Sequence, residues 1–174
     1  MTQLVLLKDE HIPGMMDLFR LPQVRDALGL EHADSTPEEI AMHLAATAPG
    51  TRTVVWGIVD QERMVGCIAL ANMHPVSRVG GLTSKAILPH HGNAGLEATC
   101  KVVDIGFRQF NLNRIECHVH EDVKATHWVA RRLAKYGVKN EGVHRQGAWR
   151  SGRYRDVTIY AVLRDEWSYG LSTA

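Results

Sequence analysis

Apolar residues along this chain come in two rhythms, short alternating runs and stretches that return every third or fourth position, and their order predicts most of the elements. Leu4 to Leu7 reads as a short first strand. From His11 the period becomes helical, with Ile12, Met15, Met16, Leu18 and Phe19 on one side, until Pro22 breaks it. Val24 to Leu28 is a second short helical piece ending at Gly29. Thr36-Pro37-Glu38-Glu39 then supplies an N-cap, a proline at the first helical position and a capping-box acid, which predicts a helix over Ile40 to Ala46. Before it, Glu31 to Ser35 reads as a polar connection of the kind that grips acceptor substrates.

Thr53 to Val59 and Met64 to Ala71 are β-rich runs joined by the polar Asp60-Gln61-Glu62-Arg63, and a loop containing Gly80 and Gly81 leads into a strand from Leu82 to Leu88. Pro89 stops that strand. A small-residue loop follows, and Leu96, Cys100, Val103, Phe107 and Phe110 mark a long helix that ends at Asn111-Leu112-Asn113. Arg114 to His120 alternates sharply, with Arg114, Glu116, His118 and His120 on one face and Ile115, Cys117 and Val119 on the other. Asp122 is placed to cap the next helix, whose buried stripe is Ala125, Val129, Leu133 and Tyr136 and whose stop is Gly137. Val143 to Trp149, a Ser151-Gly152 turn and Arg153 to Leu163 close the chain as a hairpin, which Trp149, Tyr154, Tyr160 and Trp167 are expected to pack.

A chain of 174 residues with 45% hydrophobic content supports one well-formed core, so a single domain over residues 1–174 is expected. The first ten residues hold no basic leader and only a brief apolar run, which argues against a signal peptide or membrane span and predicts a cytoplasmic protein. Cys67, Cys100 and Cys117 are odd in number and lie in apolar patterns, as reduced core thiols do. The net charge of +1 hides an asymmetry: Arg131 to Arg155 holds eight Lys or Arg and one acid, Glu141, so this segment carries +7 and the rest −6. A basic face attracts the phosphates of a cofactor or of RNA, and the acidic remainder a cationic acceptor. No nucleic-acid motif accompanies the charge, and nucleic acid is not the expected partner. His90, His91, His118 and His120 include a His-x-His pair, yet no third ligand stands at a recognisable spacing, so no metal is expected.

The strand, loop and helix over residues 88–107 carry the first candidate chemistry. A helix beginning just after Gly92 and Gly95 points unpaired N–H groups into whatever the loop encloses. Glycine permits close approach and the helix dipole adds positive potential, so a phosphate fits there. A turn that merely ends a strand would show the same two glycines, and this stretch alone leaves both readings open.

Three stretches together resemble the GNAT superfamily of acetyl-CoA-dependent N-acetyltransferases, in particular its ribosomal-protein N-terminal acetyltransferase-like branch. They are His90 to Phe107, then Leu112-Asn113-Arg114-Ile115-Glu116, then Lys135-Tyr136-Gly137-Val138 with Glu141-Gly142-Val143. The last continues through Gly152-Arg153-Tyr154-Arg155-Asp156-Val157-Thr158-Ile159-Tyr160 to Leu163-Arg164-Asp165-Glu166-Trp167. The resemblance covers residues 80–167 closely, and the first half only by its order of elements. It implies an α/β (α+β) fold, a splayed, mixed and mostly antiparallel sheet flanked by helices, with acetyl-CoA lying in the V-shaped gap. It further implies that Ile87 and Leu88 flank the pantetheine, offering backbone to its amides, that His90, Gly92, Asn93, Ala94 and Gly95 cradle the diphosphate, and that Thr126 stands where an Asn often meets the cofactor.

Counted back from Phe107, the family's loop positions fall on His90, Asn93 and Gly95; counted from Pro89, the loop is two residues shorter than the family's. Asn93 replaces a central glycine and can reach positive φ at some cost. Val129 and Leu133 occupy the helix positions that usually give the thiolate its proton, which leaves Tyr136, one turn on, as the candidate. Glu116, His118 and His120 are the candidate bases, a neutral histidine being suited to work at neutral pH. The activity implied is direct transfer of acetyl from acetyl-CoA to a primary amine: a protein N-terminus, a lysine or a small molecule. The competing expectation, motivated by Asn93, Val129 and Leu133, is a catalytically degenerate GNAT-fold module that senses acyl-CoA or binds a partner. Expected partners are acetyl-CoA and an amine acceptor, a protein among the candidates, with a homodimer compatible and no membrane.

Overall fold

A computed structural model of the chain describes residues 2–22, 24, 36, 52–88, 91–150 and 152–170. The strands are β1 (Gln3–Leu6), β2 (Val54–Asp60), β3 (Arg63–His74), β4 (Val79–Ile87), β5 (Arg114–His120), β6 (Lys139–Arg150) and β7 (Arg153–Leu163). The described helices are α1 (Ile12–Phe19), α2 (Gly92–Arg108) and α3 (Lys124–Leu133), the last continuing into a 3-10 turn, Ala134–Tyr136. All seven strands join one sheet in the order β1-β2-β3-β4-β5-β7-β6, antiparallel throughout except between β4 and β5. The helix expected over Ile40 to Ala46 with its Pro37 cap, the connection Glu31 to Ser35, the helical piece beyond Val24, and His90 lie outside the described residues.

The β2–β3 connection is tighter than its four polar residues suggest. Asp60 pairs with Arg63, so only Gln61 and Glu62 turn, at φ of 50° and 62°. Two-residue hairpins need that left-handed pair to match strand twist, and the match here outweighs the local cost of two side chains at positive φ. Farther along β3, Val65 is an extra residue between the pairs Ile58↔Gly66 and Val59↔Met64. This bulge reverses the strand's parity. Met64, beside Gly14 of α1, and Leu70, beside Gly106 of α2, therefore point to opposite faces, and the two helices sandwich the sheet.

Gly80 and Gly81, expected in a loop, belong to β4. A Cβ on Gly80 would lie 2.7 Å from Leu112 Cδ1, and one on Gly106 2.6 Å from Ile115 Cδ1. These glycines let α2 and its following loop settle onto the sheet, which is a packing role and not a turning one. The core so formed includes fully buried Met15, Phe19, Ile58, Ile68, Leu70, Val102 and Val103.

Three further expectations are corrected. The N-cap of α3 is Val123, without a side-chain cap bond, while Asp122 faces Arg150 at 3.6 Å. The helix buries Ala130 and Leu133, with Val129 half-buried and Ala125 exposed. Strand β6 begins at Lys139, earlier than its apolar residues indicate, because it is an edge strand exposed along nearly all its length and needs no alternation. At the far end of its hairpin Trp149 and Tyr154 pack edge to face at 4.8 Å yet remain 64% and 61% exposed. Gly137 does end the helical segment as expected, at φ 100°. No disulfide joins the three cysteines, and no helix among the described residues is long and apolar enough to cross a membrane.

Candidate active site

Strands β4 and β5 pair over three positions only, Val79↔Arg114, Gly80↔Ile115 and Gly81↔Glu116. Beyond them β4 continues beside β3 and β5 beside β7, so the sheet parts in its middle. On β4, the pairs Cys67↔Lys85 and Gly66↔Ile87 leave Ala86 as an extra residue outside the ladder with β3. The gap is thus bordered by backbone that lacks a neighbouring strand on one side.

At the open end of β4, four residues lead to α2, which starts at Gly92. Gly92, Asn93, Ala94 and Gly95 are therefore the first turn of the helix and not a loop before it, and Asn93 is helical, so the expected cost of positive φ does not arise. Gly95 N–H already donates to the His91 carbonyl at 3.2 Å. The N–H groups of Gly92, Asn93 and Ala94 are those a helix start leaves for an external acceptor. No acid stands in this turn. Glu97, one turn on, is tied to Lys101 at 2.8 Å, and that lysine holds its carboxyl below the usual carboxylate range. Leu88 N–H donates to the Val65 carbonyl at 2.8 Å, its carbonyl accepts from His91 N–H at 3.1 Å, and its side chain is buried.

On the helix face of the gap, α2, α3, β4, β5 and β7 enclose a narrow apolar cavity of about 40 Å³, lined among others by Leu82, Ile115, Thr126, Val129, Leu133 and Tyr160. That is room for more than one water-sized group. Tyr136 is not among its walls. Its ring packs edge-on against Trp167 and Tyr169, 5.9 and 5.2 Å between centroids, with Lys135 Nζ over its face. Tyr160 does line the cavity, with its hydroxyl 3.0 Å from His127 Nδ1, while His127 Nε2 lies 3.1 Å from the His120 carbonyl oxygen. A carbonyl only accepts. His127 therefore carries its proton on Nε2, and the Tyr160 hydroxyl donates to Nδ1.

Because Ile115 faces the helices, strand alternation places Glu116, His118 and His120 on the opposite face, as expected. Arg114 donates from Nε to one oxygen of Glu116 at 3.1 Å and from its terminal nitrogens to Glu141 on β6, one of these bonds at 2.9 Å. Glu141, bound this way, is held below the usual carboxylate range by Arg114. The other Glu116 oxygen lies 3.3 Å from His118 Nε2, and the half-exposed His118 ring meets His144 edge-on at 5.9 Å. A neutral His118 that gives its Nε2–H side to the carboxylate keeps the Nδ1 lone pair for another partner. His120 shares this face. Among the described residues no group of three or more His, Cys, Asp or Glu is placed to hold a metal ion.

The sequence profile of the acetyltransferase (GNAT) domain matches residues 2–134. The chain belongs to this family. It is 30% identical over 167 residues to the uncharacterised N-acetyltransferase YoaA of Bacillus subtilis (strain 168), covering 91% of this chain and 90% of that one. Its fold is similar to that of the spermidine N-acetyltransferase of Vibrio cholerae in complex with CoA and spermine, at TM-score 0.77 and 18% identity over 95% of this chain and 96% of that one. It is also similar to RimL, the ribosomal L7/L12 α-N-protein acetyltransferase in complex with coenzyme A, at TM-score 0.78 and 20% identity over 95% of both chains. Membership decides for an enzyme, an N-acetyltransferase whose acyl donor is acetyl-CoA.

In this GNAT acetyltransferase the sequence candidates fall into two groups on either face of β5. Gly92, Asn93, Ala94 and Thr126 border the helix face, and Glu116, His118 and His120 the other. Three residues make contacts near the site that the sequence reading did not assign. His91 is the N-cap of α2 and contacts Asp60 through Nδ1 at 3.1 Å, tying the β2–β3 hairpin to the helix start. Tyr160 and His127 are 33 positions apart, and only the register Cys117↔Tyr160 turns the tyrosine toward the helices.

Proposed function

We propose that this acetyltransferase moves acetyl from acetyl-CoA directly onto a primary amine, with the donor entering from the helix face of the parted strands and the acceptor from the opposite face. The observation that carries the reading is the divergence of β4 and β5 after Gly81 and Glu116, since β5 then separates a helix start and an apolar cavity from a histidine–carboxylate chain. The first turn of α2 holds the diphosphate on the N–H groups of Gly92, Asn93 and Ala94, where the dipole favours negative charge. The backbone around Ala86 and Ile87 borders the pantetheine, and Thr126 faces it from α3. His118 Nδ1 takes the proton that the amine must lose, while Glu116, itself held by Arg114, fixes the imidazole. Positioning supplies much of the rest, because a thioester and an amine held in line need no covalent enzyme intermediate.

The acceptor is a protein N-terminus, a lysine side chain or a small amine. Calorimetric titration with acetyl-CoA, followed by a free-thiol assay over an α-amino peptide, a lysine peptide and spermidine, tests the reading. Binding with thiol release from at least one amine is the expected outcome. Absence of acetyl-CoA binding removes the proposal, and binding without release from any amine returns the chain to a donor-binding role.

A further inference from the structure

Helices α2 and α3 meet near their starts through an aromatic ring. A Cβ built on Gly92 would lie 3.9 Å from Trp128 Cζ3, so the indole is laid against the backbone that opens α2. Arg132, one turn on from Trp128 and therefore on the same side of α3, returns its guanidinium over that indole, with Cζ 4.6 Å from the ring centroid. Stacking of this kind holds the group flat, while its five N–H donors lie in the guanidinium plane and stay open at the edge. Arg132 is exposed and makes no ion pair among the described residues. Arg131, beside it in the last turn, answers the helix dipole equally well, so the dipole does not account for a guanidinium turned back onto an indole. Neither α2 nor α3 carries an acid in its first turn. Of the carboxylates that contact or precede these starts, Asp60 is engaged by His91, Glu121 by Arg155 and Asp122 by Arg150. The ground between the two helices is thus positive, from unpaired N–H groups on one side and a guanidinium on the other.

We propose that Arg132, held by Trp128, binds the 3′-phosphate on the ribose of acetyl-CoA and so selects the phosphorylated donor, an inference that rests on the donor-binding reading above. The diphosphate and the 3′-phosphate hang on one ribose. A guanidinium one indole's width from the Gly92 turn is placed for the second anion while the backbone N–H groups hold the first. A phosphate monoester carries about −1.5 to −2 charge at pH 7 and three acceptor oxygens. Those oxygens match the forked donors of arginine two at a time, which a flexible ammonium cannot reproduce. Neither Trp128 nor Arg132 lines the apolar cavity, so the pair serves the nucleotide part of the donor and not its thioester. Arg132 is a specificity residue in this scheme and Trp128 a positioning residue.

The test is calorimetric titration of the whole chain with acetyl-CoA and with its 3′-dephospho form. The wild-type protein is expected to bind the dephospho form about tenfold more weakly. Arg132→Gln is expected to lose about tenfold for acetyl-CoA and nothing for the dephospho form, so that the two ligands become equal. Arg132→Lys, which keeps the charge without the fork, falls between the wild type and Arg132→Gln. Trp128→Leu is expected to weaken acetyl-CoA about threefold through loss of the stacked guanidinium, with the dephospho form again spared. Because Arg132 is exposed, its replacement tests the contact without disturbing the core. An Arg132→Gln protein that weakens both ligands alike overturns the proposal, since the arginine would then act on the diphosphate or on the fold. Wild-type protein that binds neither ligand sinks the donor-binding reading and this one together; equal binding of both sinks this one alone.

Discussion

His118 draws its usefulness from what stands behind it. A carboxylate anchored by a guanidinium fixes one side of the imidazole, and the other ring nitrogen is left to take a proton. His118→Ala is therefore expected to cost about a hundredfold in kcat with acetyl-CoA binding intact, read as thiol release at saturating donor beside a calorimetric titration. A second single-residue consequence concerns Cys100, whose thiol burial pushes up to about 12. The unfolded chain gives up that proton from about pH 8.5 while the folded chain keeps it, so the native state binds more protons and stability falls as pH rises between these values. The slope is at most about 1.4 kcal/mol per pH unit for this group, and Tyr169, also raised by burial, adds to it at higher pH. Urea midpoints measured from pH 8 to 11 should decline, and less steeply in Cys100→Ala. An identical decline in both proteins would remove the thiol from the account.

At the scale of elements, the ends were harder to read than the middles. The α2 stripe of Cys100, Val103 and Phe107 is legible because each residue must be buried, whereas the Gly-Asn-Ala-Gly turn that starts the helix buries only the small Ala94 and Gly95 and has no side-chain cap bond, so it reads as loop. Glycine misleads in the same way in β4, where Gly80 answers a close approach of Leu112 that no local pattern announces. Gly137 was legible because its left-handed backbone and the helix stop coincide. It also carries a prediction. A Cβ there would sit 2.2 Å from the Glu166 carbonyl oxygen, a backbone atom that cannot swing aside, whereas Gly152 at φ 72° has open space around it. Gly137→Ala should cost about 2–4 kcal/mol and Gly152→Ala about 1–2 kcal/mol, compared by denaturant unfolding. Equal costs would mean that backbone strain alone, without the clash, sets the penalty.

For the molecule as a whole, the order of strands and helices was legible, and the residues on the polar face of β5 with it, because alternation over seven residues is a strong signal. Pairing was not. Nothing in the composition of β4 says that it leaves β5 after Gly81, and the resemblance to a family supplied that expectation before the register did. The Tyr160–His127 contact and the Arg114–Glu141 link were hidden for the same reason, since sequence patterns describe one element at a time and these contacts join two. The seam itself has a mechanical corollary. With three rungs between its halves, the sheet is two ribbons, strands β1 to β4 and strands β5 to β7, joined by those rungs and by α2 packed across both. A guest spanning the seam would splice the ribbons, so heating the free protein should give a broad transition whose van't Hoff enthalpy falls short of the calorimetric one, and saturating acetyl-CoA should bring the two enthalpies together.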